Sequence, residues 1–349
     1  MKVVIVGSGR TGRGFIAPFF FQNNDEVIFV DKDEDLIDKL NAEKVYDVYS
    51  FTTDDVFNVN NYSAYKNEQS VEQIAEADVV VTSVFADNLE DLAPLFIKSI
   101  AKREKDEKLL IICAENGVDV KKKLIDCDID ADITEAAIFC TSVNTGEGLD
   151  ITSEKDITLF INDYFDHEVD IKVPGIQFTN TFDDLIQRKI YTYNFLSAVL
   201  AYYGFYNHHD NLADSYDDPE IRQFIDKYMD AHNEMIAEKY NTEISVQKDF
   251  SNKAINKFSN HQINDGIQRN AQQVKRKLKI NERLIYPLNL ALEKSKIELI
   301  DFYTKVIALA IYYGVDNNEL EVGEYFELLE ANIKDSKTID KIKDEYEAL

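Results

Sequence analysis

In the first half of the chain, short apolar runs alternate with stretches of helical spacing. The runs stand at residues 3–6, 27–30, 79–81 with Ser83 and Val84, 109–112 and 136–139, and glycine-rich or acidic segments punctuate them. Runs without polar alternation bury both faces of a strand, the pattern of a parallel sheet covered on both sides. Helical stretches such as 92–105 supply the crossovers. A doubly wound, mostly parallel α/β fold is predicted. After about Asp170 the pattern changes. Val173, Pro174 and Gly175 mark a turn, and helical periodicity then takes over. Residues 185–203, 220–240 and 287–313 carry apolar positions at helical spacing, and Gly204 and Gly314 are expected to close the first and last of these. The expectation is an α/β domain over 1–183 and an all-α domain over 184–349, with no internal repeat.

The turn after the first run reads Gly7, Ser8, Gly9, Arg10, Thr11, Gly12 and opens a helix. Gly7 permits a tight turn, Gly9 lets backbone approach a pyrophosphate, and Gly12 allows close helix packing. The helix N-terminus then offers N–H groups to the anion. Asp31 ends the second run, where a carboxylate accepts from adenosine ribose hydroxyls and repels a 2′-phosphate. This is a Rossmann dinucleotide motif that favours NAD over NADP.

Charge sharpens the picture. Among 349 residues, 38 are basic and 65 acidic, a formal net charge of -27. Such a chain repels a polyphosphate backbone, so nucleic acid is not an expected partner. An anionic small molecule needs a local concentration of cations against that field. Cys113, Cys127 and Cys140 have no ligand-like spacing, and Cys113 and Cys140 lie in apolar stretches that read as buried strands. The chain enters its first strand with no leader, and no apolar run approaches a membrane-spanning length, so a cytoplasmic location without a membrane partner is expected.

The segment GSGRTGRGFI (7–16) resembles the opening of the mannitol-1-phosphate 5-dehydrogenase family, polyol-specific long-chain dehydrogenases. Successive blocks are similar in the same order: FVD (29–31), LIDKLN (36–41), CAEN (113–116), IQRKIYTYN (186–194), DPEIR (218–222), and NERLI (281–285) followed by Pro287. The resemblance implies a metal-independent oxidoreductase with Lys189 as general acid/base and Asn194 as donor to the substrate oxygen. An amine takes that role near neutral pH when burial and nearby positive charge lower its pKa. Positions five apart are rotated by about 140° on a regular α-helix, so Lys189 and Asn194 would not share a face, and the long lysine stem or a local helix start is expected to close the gap. Asn116, beside Glu115 at the end of a strand, is expected to orient nicotinamide or substrate, and Arg188 is a substrate contact or a surface charge. Ser197 stands where the family has a substrate-holding histidine, and Asn144 where it has an aspartate. Serine keeps a donor and an acceptor but does not titrate near pH 7.

Lys275, Arg276, Lys277 and Lys279, with Arg269 and Arg283 on either side, form the densest basic stretch. Arg269, Arg276, Lys277 and Arg283 are candidates for a phosphate, and a solvated helix face paired with acids is the competing reading. The five histidines show no metal-site spacing; His208 and His209 read as a loop, and His261 is a candidate to line the substrate site. The resemblance implies interconversion of mannitol 1-phosphate and fructose 6-phosphate. The alternatives are another polyol or a hexuronate, or an NAD-binding sensor without catalysis.

Overall fold

The structure is a computed structural model that describes residues 1–155, 157–163, 170–321 and 323–349. It divides into two compact units, Met1–Asp183 and Asp184–Leu349.

In the first unit, an eight-stranded sheet comprises β1 (Lys2–Val6), β2 (Glu26–Asp31), β5 (Ser63–Lys66), β6 (Val79–Thr82), β7 (Leu110–Cys113), β8 (Asp132–Ala137), β11 (Leu159–Asn162) and β12 (Ile176–Thr179). Its order is β12-β11-β8-β7-β6-β1-β2-β5, parallel from β8 to β5, with β11 antiparallel to β8. The direct apolar runs explain why both faces are covered. Val3 and Ile5 join one core with Phe29 and Ile112, while Val4 and Val6 join another with Ile28 and Ile111. The strand expected at 136–139 lies earlier, and Ile138 and Phe139 follow it. The helix expected over 92–105 is shorter, Ala93–Ile100.

A second sheet has the order β4-β3-β10-β9, from β3 (Val45–Ser50), β4 (Val56–Asn60), β9 (Ser142–Asn144) and β10 (Ile151–Ser153). The three cysteines are free thiols; Cys113 is buried, but Cys140 lies outside a strand and is only half-buried. The turn at Pro174 and Gly175 leads into β12 before the helices begin.

Among its described residues the second unit is helical, with one isolated bridge between Asn211 and Gly266. Gly204 and Gly314 do not close helices. They lie inside Phe195–Tyr206 and Ile297–Asp316, where a Cβ would stand 1.9 Å from Ser215 Oγ and 2.7 Å from Leu320 Cδ1. Both serve close packing. Residues 287–313 do not form one helix either: Ile285–Glu293 stops, Ser295 takes φ +54°, and Ile297–Asp316 begins. The Lys296 N–H caps the first helix on the Ala291 carbonyl at 2.9 Å, so a left-handed residue ends it without glycine. No described helix is long and apolar enough to cross a membrane.

Candidate active site

In the first unit the glycine turn sits at the carboxyl edge of β1, between β2 and β6. Gly7 adopts φ +100°, and a Cβ there would lie 2.2 Å from the Ser83 carbonyl oxygen. A Cβ on Gly12 would lie 2.2 Å from the Gly7 carbonyl oxygen. Around Gly9 a Cβ would meet nothing within 4 Å. Gly7 and Gly12 are thus demanded by the fold, whereas the space beside Gly9 is open, the condition that close approach of a pyrophosphate would require. Arg10 and Thr11 open the following helix, exposed and half-buried respectively.

Asp31 ties this turn to β2. Its Oδ2 accepts from the Ser8 N–H at 2.7 Å and its Oδ1 from the Asp33 N–H at 3.0 Å. A carboxylate offers about four acceptor positions, so capacity remains for ribose hydroxyls. The Ser8 hydroxyl donates to the Val30 carbonyl at 3.2 Å and is not turned to a ligand. These residues fit a dinucleotide with unmodified adenosine ribose.

Arg13 went unnoticed in the sequence, although it follows Gly12 directly. It is buried; its Nε donates to the Ser8 carbonyl at 2.8 Å and its Nη1 to the Leu149 carbonyl. Its guanidinium lies 5.6 Å from the Tyr46 ring centroid, and Tyr46 Oη donates back to the Arg13 carbonyl at 3.0 Å. The side chain braces the turn from beneath. Asn116 is exposed just past β7, whereas its neighbour Glu115 is buried, accepting from the Val84 N–H at 2.7 Å and Thr82 Oγ1 at 3.2 Å. Asn144 is exposed on β9, in the second sheet.

In the second unit Lys189 ends the helix Phe182–Lys189, and a π-helical turn, Ile190–Asn194, follows. The Phe195 N–H reaches the Ile190 carbonyl, five residues back. In that register residue i+5 stands over residue i as i+4 does in an α-helix. The turn therefore removes the mismatch between Lys189 and Asn194 that regular spacing imposes. Ser197 is buried, and its hydroxyl donates to the Asn194 carbonyl at 3.0 Å.

Burial pulls the pKa of Lys189 down to about 7, helped by the positive charges of Lys257 and Arg283. Lys257, on the helix Ile244–Phe258, is half-buried, and nothing in the sequence marked it. Arg283 arrives because Tyr191 of the π turn stacks on Tyr286 at 4.1 Å and donates to the Asn281 carbonyl at 3.1 Å.

The basic stretch divides. Arg269 is 67% exposed and paired with Asp265 at 3.1 Å; Arg276 is exposed and paired with Glu282. Lys277 is only 3% exposed, donates to the Asn270 carbonyl and lies 5.3 Å from the Tyr202 ring centroid. Its pKa is pulled down to about 7 by burial and by Arg283 and Arg276. Lys277 and Arg283 thus join the inward group with Lys189, while Arg269 remains a solvated ion pair. His261 is exposed between Asp214 and Asp217, a surface position that does not match its reading as a lining residue. His208 and His209 follow the helix Phe195–Tyr206, and His209 pairs with Asp218 at 2.9 Å. His232 is buried in the core against Phe195, its pKa lowered to about 4 by burial. His167 lies outside the described residues. Among the described residues no acidic, histidine or cysteine group is arranged for a metal.

Gln247 holds the π turn. Fully buried, it accepts from Arg188 Nε at 3.0 Å and donates to Thr192 Oγ1 at 2.9 Å, so one amide spans the residue before Lys189 and the middle of the turn. Arg188 also packs its guanidinium 4.9 Å from the Phe250 ring centroid, and is neither a bare surface charge nor turned outward. Replacing Gln247 with leucine keeps the volume but leaves Arg188 and Thr192 unpaired, at about 1–3 kcal/mol of stability. The expected result is kcat falling by about tenfold or more through lost Lys189–Asn194 alignment, with NADH affinity unchanged. A variant that loses stability but keeps wild-type kcat would sink this positioning role.

The mannitol dehydrogenase Rossmann-domain family matches residues 1–143, and the mannitol dehydrogenase C-terminal-domain family residues 182–347. A mannitol-1-phosphate 5-dehydrogenase of Clostridium acetobutylicum is 28% identical over 343 residues, covering 92% of this chain and 88% of its own. One of Aspergillus clavatus is 30% identical over 315 residues, covering 84% and 81%. Among solved structures, Pseudomonas fluorescens mannitol 2-dehydrogenase with NAD and D-mannitol has a TM-score of 0.68 at 14% identity, covering 90% of this chain and 79% of its own. A substrate-free D-sorbitol dehydrogenase has a TM-score of 0.71 at 12% identity, covering 94% and 80%. Those two show a shared fold, and the family matches add the lineage: this chain belongs to the mannitol dehydrogenase family of oxidoreductases.

Proposed function

We propose that the protein is an NAD-dependent polyol-phosphate dehydrogenase that interconverts mannitol 1-phosphate and fructose 6-phosphate. One observation carries the reading most: a π turn aligns Lys189 with Asn194, and burial with two neighbouring cations holds the Lys189 amine near pKa 7. Gly7, Gly9, Gly12 and Asp31 hold the dinucleotide, with Ser8, Arg10 and Thr11 in the same turn and Asn116 at the neighbouring edge. When bound, the nicotinamide is the group that accepts or returns the hydride. Lys189 removes the hydroxyl proton in oxidation and returns it in reduction. The Asn194 amide steadies the negative charge that develops on the same oxygen.

Of the four basic candidates, Lys277 and Arg283 are the ones to hold the phosphate, joined by Lys257. Arginine presents a planar fork that suits phosphate oxygens, and lysine adds a point charge. Arg269 and Arg276 are exposed and closely paired with carboxylates, whereas the largely covered Arg283 has only the looser contact of its Nε with Glu282 at 3.6 Å. One observation favours a second reading. The Ser197 hydroxyl is directed to the Asn194 carbonyl and supplies no titrating group at the place of the family histidine. A different polyol, or a hexuronate whose carboxylate meets the same cations, fits that change.

NADH oxidation with fructose 6-phosphate, fructose and a hexuronate in parallel separates these readings, with Lys189→Ala as the control. Turnover is expected on fructose 6-phosphate above the other two, and to vanish in the control. Preference for a hexuronate would move the assignment to the second reading. NADH binding without turnover on any of the three would instead support a sensor.

A further inference from the structure

Phe85 stands out on two independent counts. The residue is 77% exposed, in a chain that buries most of its large apolar residues. Its backbone takes φ +68° and ψ 138°, a region that only glycine enters without strain. An exposed bulky residue held in a glycine conformation brings the isolated fold no packing in return.

Its location supplies a use. Phe85 lies three residues past β6, the strand beside β1. The segment before it touches the glycine turn, since a Cβ on Gly7 would stand 2.2 Å from the Ser83 carbonyl oxygen and 3.0 Å from Val84 Cγ1. The conformation is held from below by the buried Glu115 carboxylate. It accepts from the Val84 N–H at 2.7 Å and receives the Phe85 N–H as well. From the other side, Asn88 Nδ2 donates to the Val84 carbonyl at 2.5 Å and the Asn88 N–H to the Phe85 carbonyl at 2.9 Å. The loop is therefore built to present this ring at the sheet's carboxyl edge.

We propose that Phe85 packs against the nicotinamide-riboside half of the dinucleotide and helps set cofactor affinity. The inference rests on the reading of the first unit as an NAD site. The half is chosen by topology. Asp31 marks the adenosine ribose at the end of β2, on one side of β1, and the pyrophosphate belongs at the glycine turn on β1 itself. Phe85 lies past β6, on the opposite side. The flat face of an aromatic ring suits the faces of ribose and nicotinamide.

The test is titration of NADH and of ADP into the wild type, Phe85→Gly and Phe85→Ala, with Tm measured for each. Phe85→Gly should bind NADH about three- to tenfold more weakly and ADP as tightly as wild type. Its Tm should rise by about 2–4 °C, because the strain is released. Phe85→Ala keeps a Cβ and hence the strain, so it should show the NADH loss without the gain in Tm. Unchanged NADH affinity in both variants would overturn the proposal, as would an equal loss for ADP. A wild type that binds ADP and NADH to no measurable extent would instead overturn the NAD reading, and this proposal with it.

Discussion

Replacing Lys189 with methionine is expected to lower kcat/KM in both directions by about 10²–10⁴-fold, the usual worth of a positioned general acid/base. Methionine keeps the stem and its packing but carries no proton. NADH affinity should not change, because the dinucleotide site is built in the first unit. The pH profile follows from the sign of the shift. Burial and the positive charges of Lys257 and Arg283 disfavour the ammonium, pulling it down to about 7. Alcohol oxidation needs the free amine, so its rate should rise as pH climbs through 7 and then level. Ketone reduction needs the ammonium, so its rate should fall through the same region. Lys257→Met removes one positive neighbour and so must raise the lysine's pKa, moving the oxidation limb to higher pH. Burial is the larger cause, so the limb should stay well below the ordinary lysine range. An acid-ward displacement in Lys257→Met, or a Lys189→Met enzyme with ordinary turnover, would remove Lys189 from the role.

The same residues show what sequence carries and what it hides. The parallel sheet was legible because direct apolar runs have no other economical use than burial on both faces. The second sheet was not read, although β3 and β4 alternate in the manner of half-covered strands; β9 and β10 are three residues each, too short to show a period. Helix limits failed at Gly204 and Gly314 because glycine has two uses. A terminating left-handed residue and a contact without Cβ look alike until the neighbour is known, here Ser215 and Leu320. Ser295 did the terminating where no glycine marked it.

At the site, the sequence supplied the residues but not their arrangement. Lys189 and Asn194 are visible by resemblance, yet their spacing contradicts an α-helix. That contradiction was itself the trace of the π turn, a form that periodicity does not register. Its supports, Gln247 and the Tyr191–Tyr286 stack, come from elements distant in sequence and leave no local pattern. The basic stretch misled in a similar way. Charges adjacent in sequence divide in space, with Arg269 and Arg276 exposed on carboxylates, Lys277 buried, and Arg283 largely covered although it touches Glu282 at 3.6 Å. The net charge of -27 is what makes such a partition decisive, since solvent-facing cations find acids close at hand.

Gly9 and Gly12 should fail in opposite ways. Gly9→Val is expected to fold with wild-type stability and to bind NADH at least about tenfold more weakly. Nothing lies within 4 Å of a Cβ at Gly9, so the protein does not resist the substitution. The added methyls instead occupy the space into which the turn admits a pyrophosphate. At Gly12 the obstacle is the protein. A Cβ would come within 2.2 Å of the Gly7 carbonyl oxygen and 3.2 Å of Ile5 Cγ2. The turn cannot retreat, because the Gly7 N–H is fixed to the Val30 carbonyl at 2.8 Å and Arg13 holds the Ser8 carbonyl from beneath. Gly12→Val should therefore destabilise the first unit by about 1–3 kcal/mol or more, lowering its Tm by about 2–4 °C for each kcal/mol. Its cofactor affinity falls as a consequence of the distorted turn. Thermal denaturation and NADH titration of the two variants side by side make the distinction. If Gly9→Val kept full NADH affinity, the open space at Gly9 would not be where the pyrophosphate lies. If Gly12→Val kept its Tm, the turn would be softer than its hydrogen bonds require. The pair thus separates a glycine kept for the ligand from one kept for the chain.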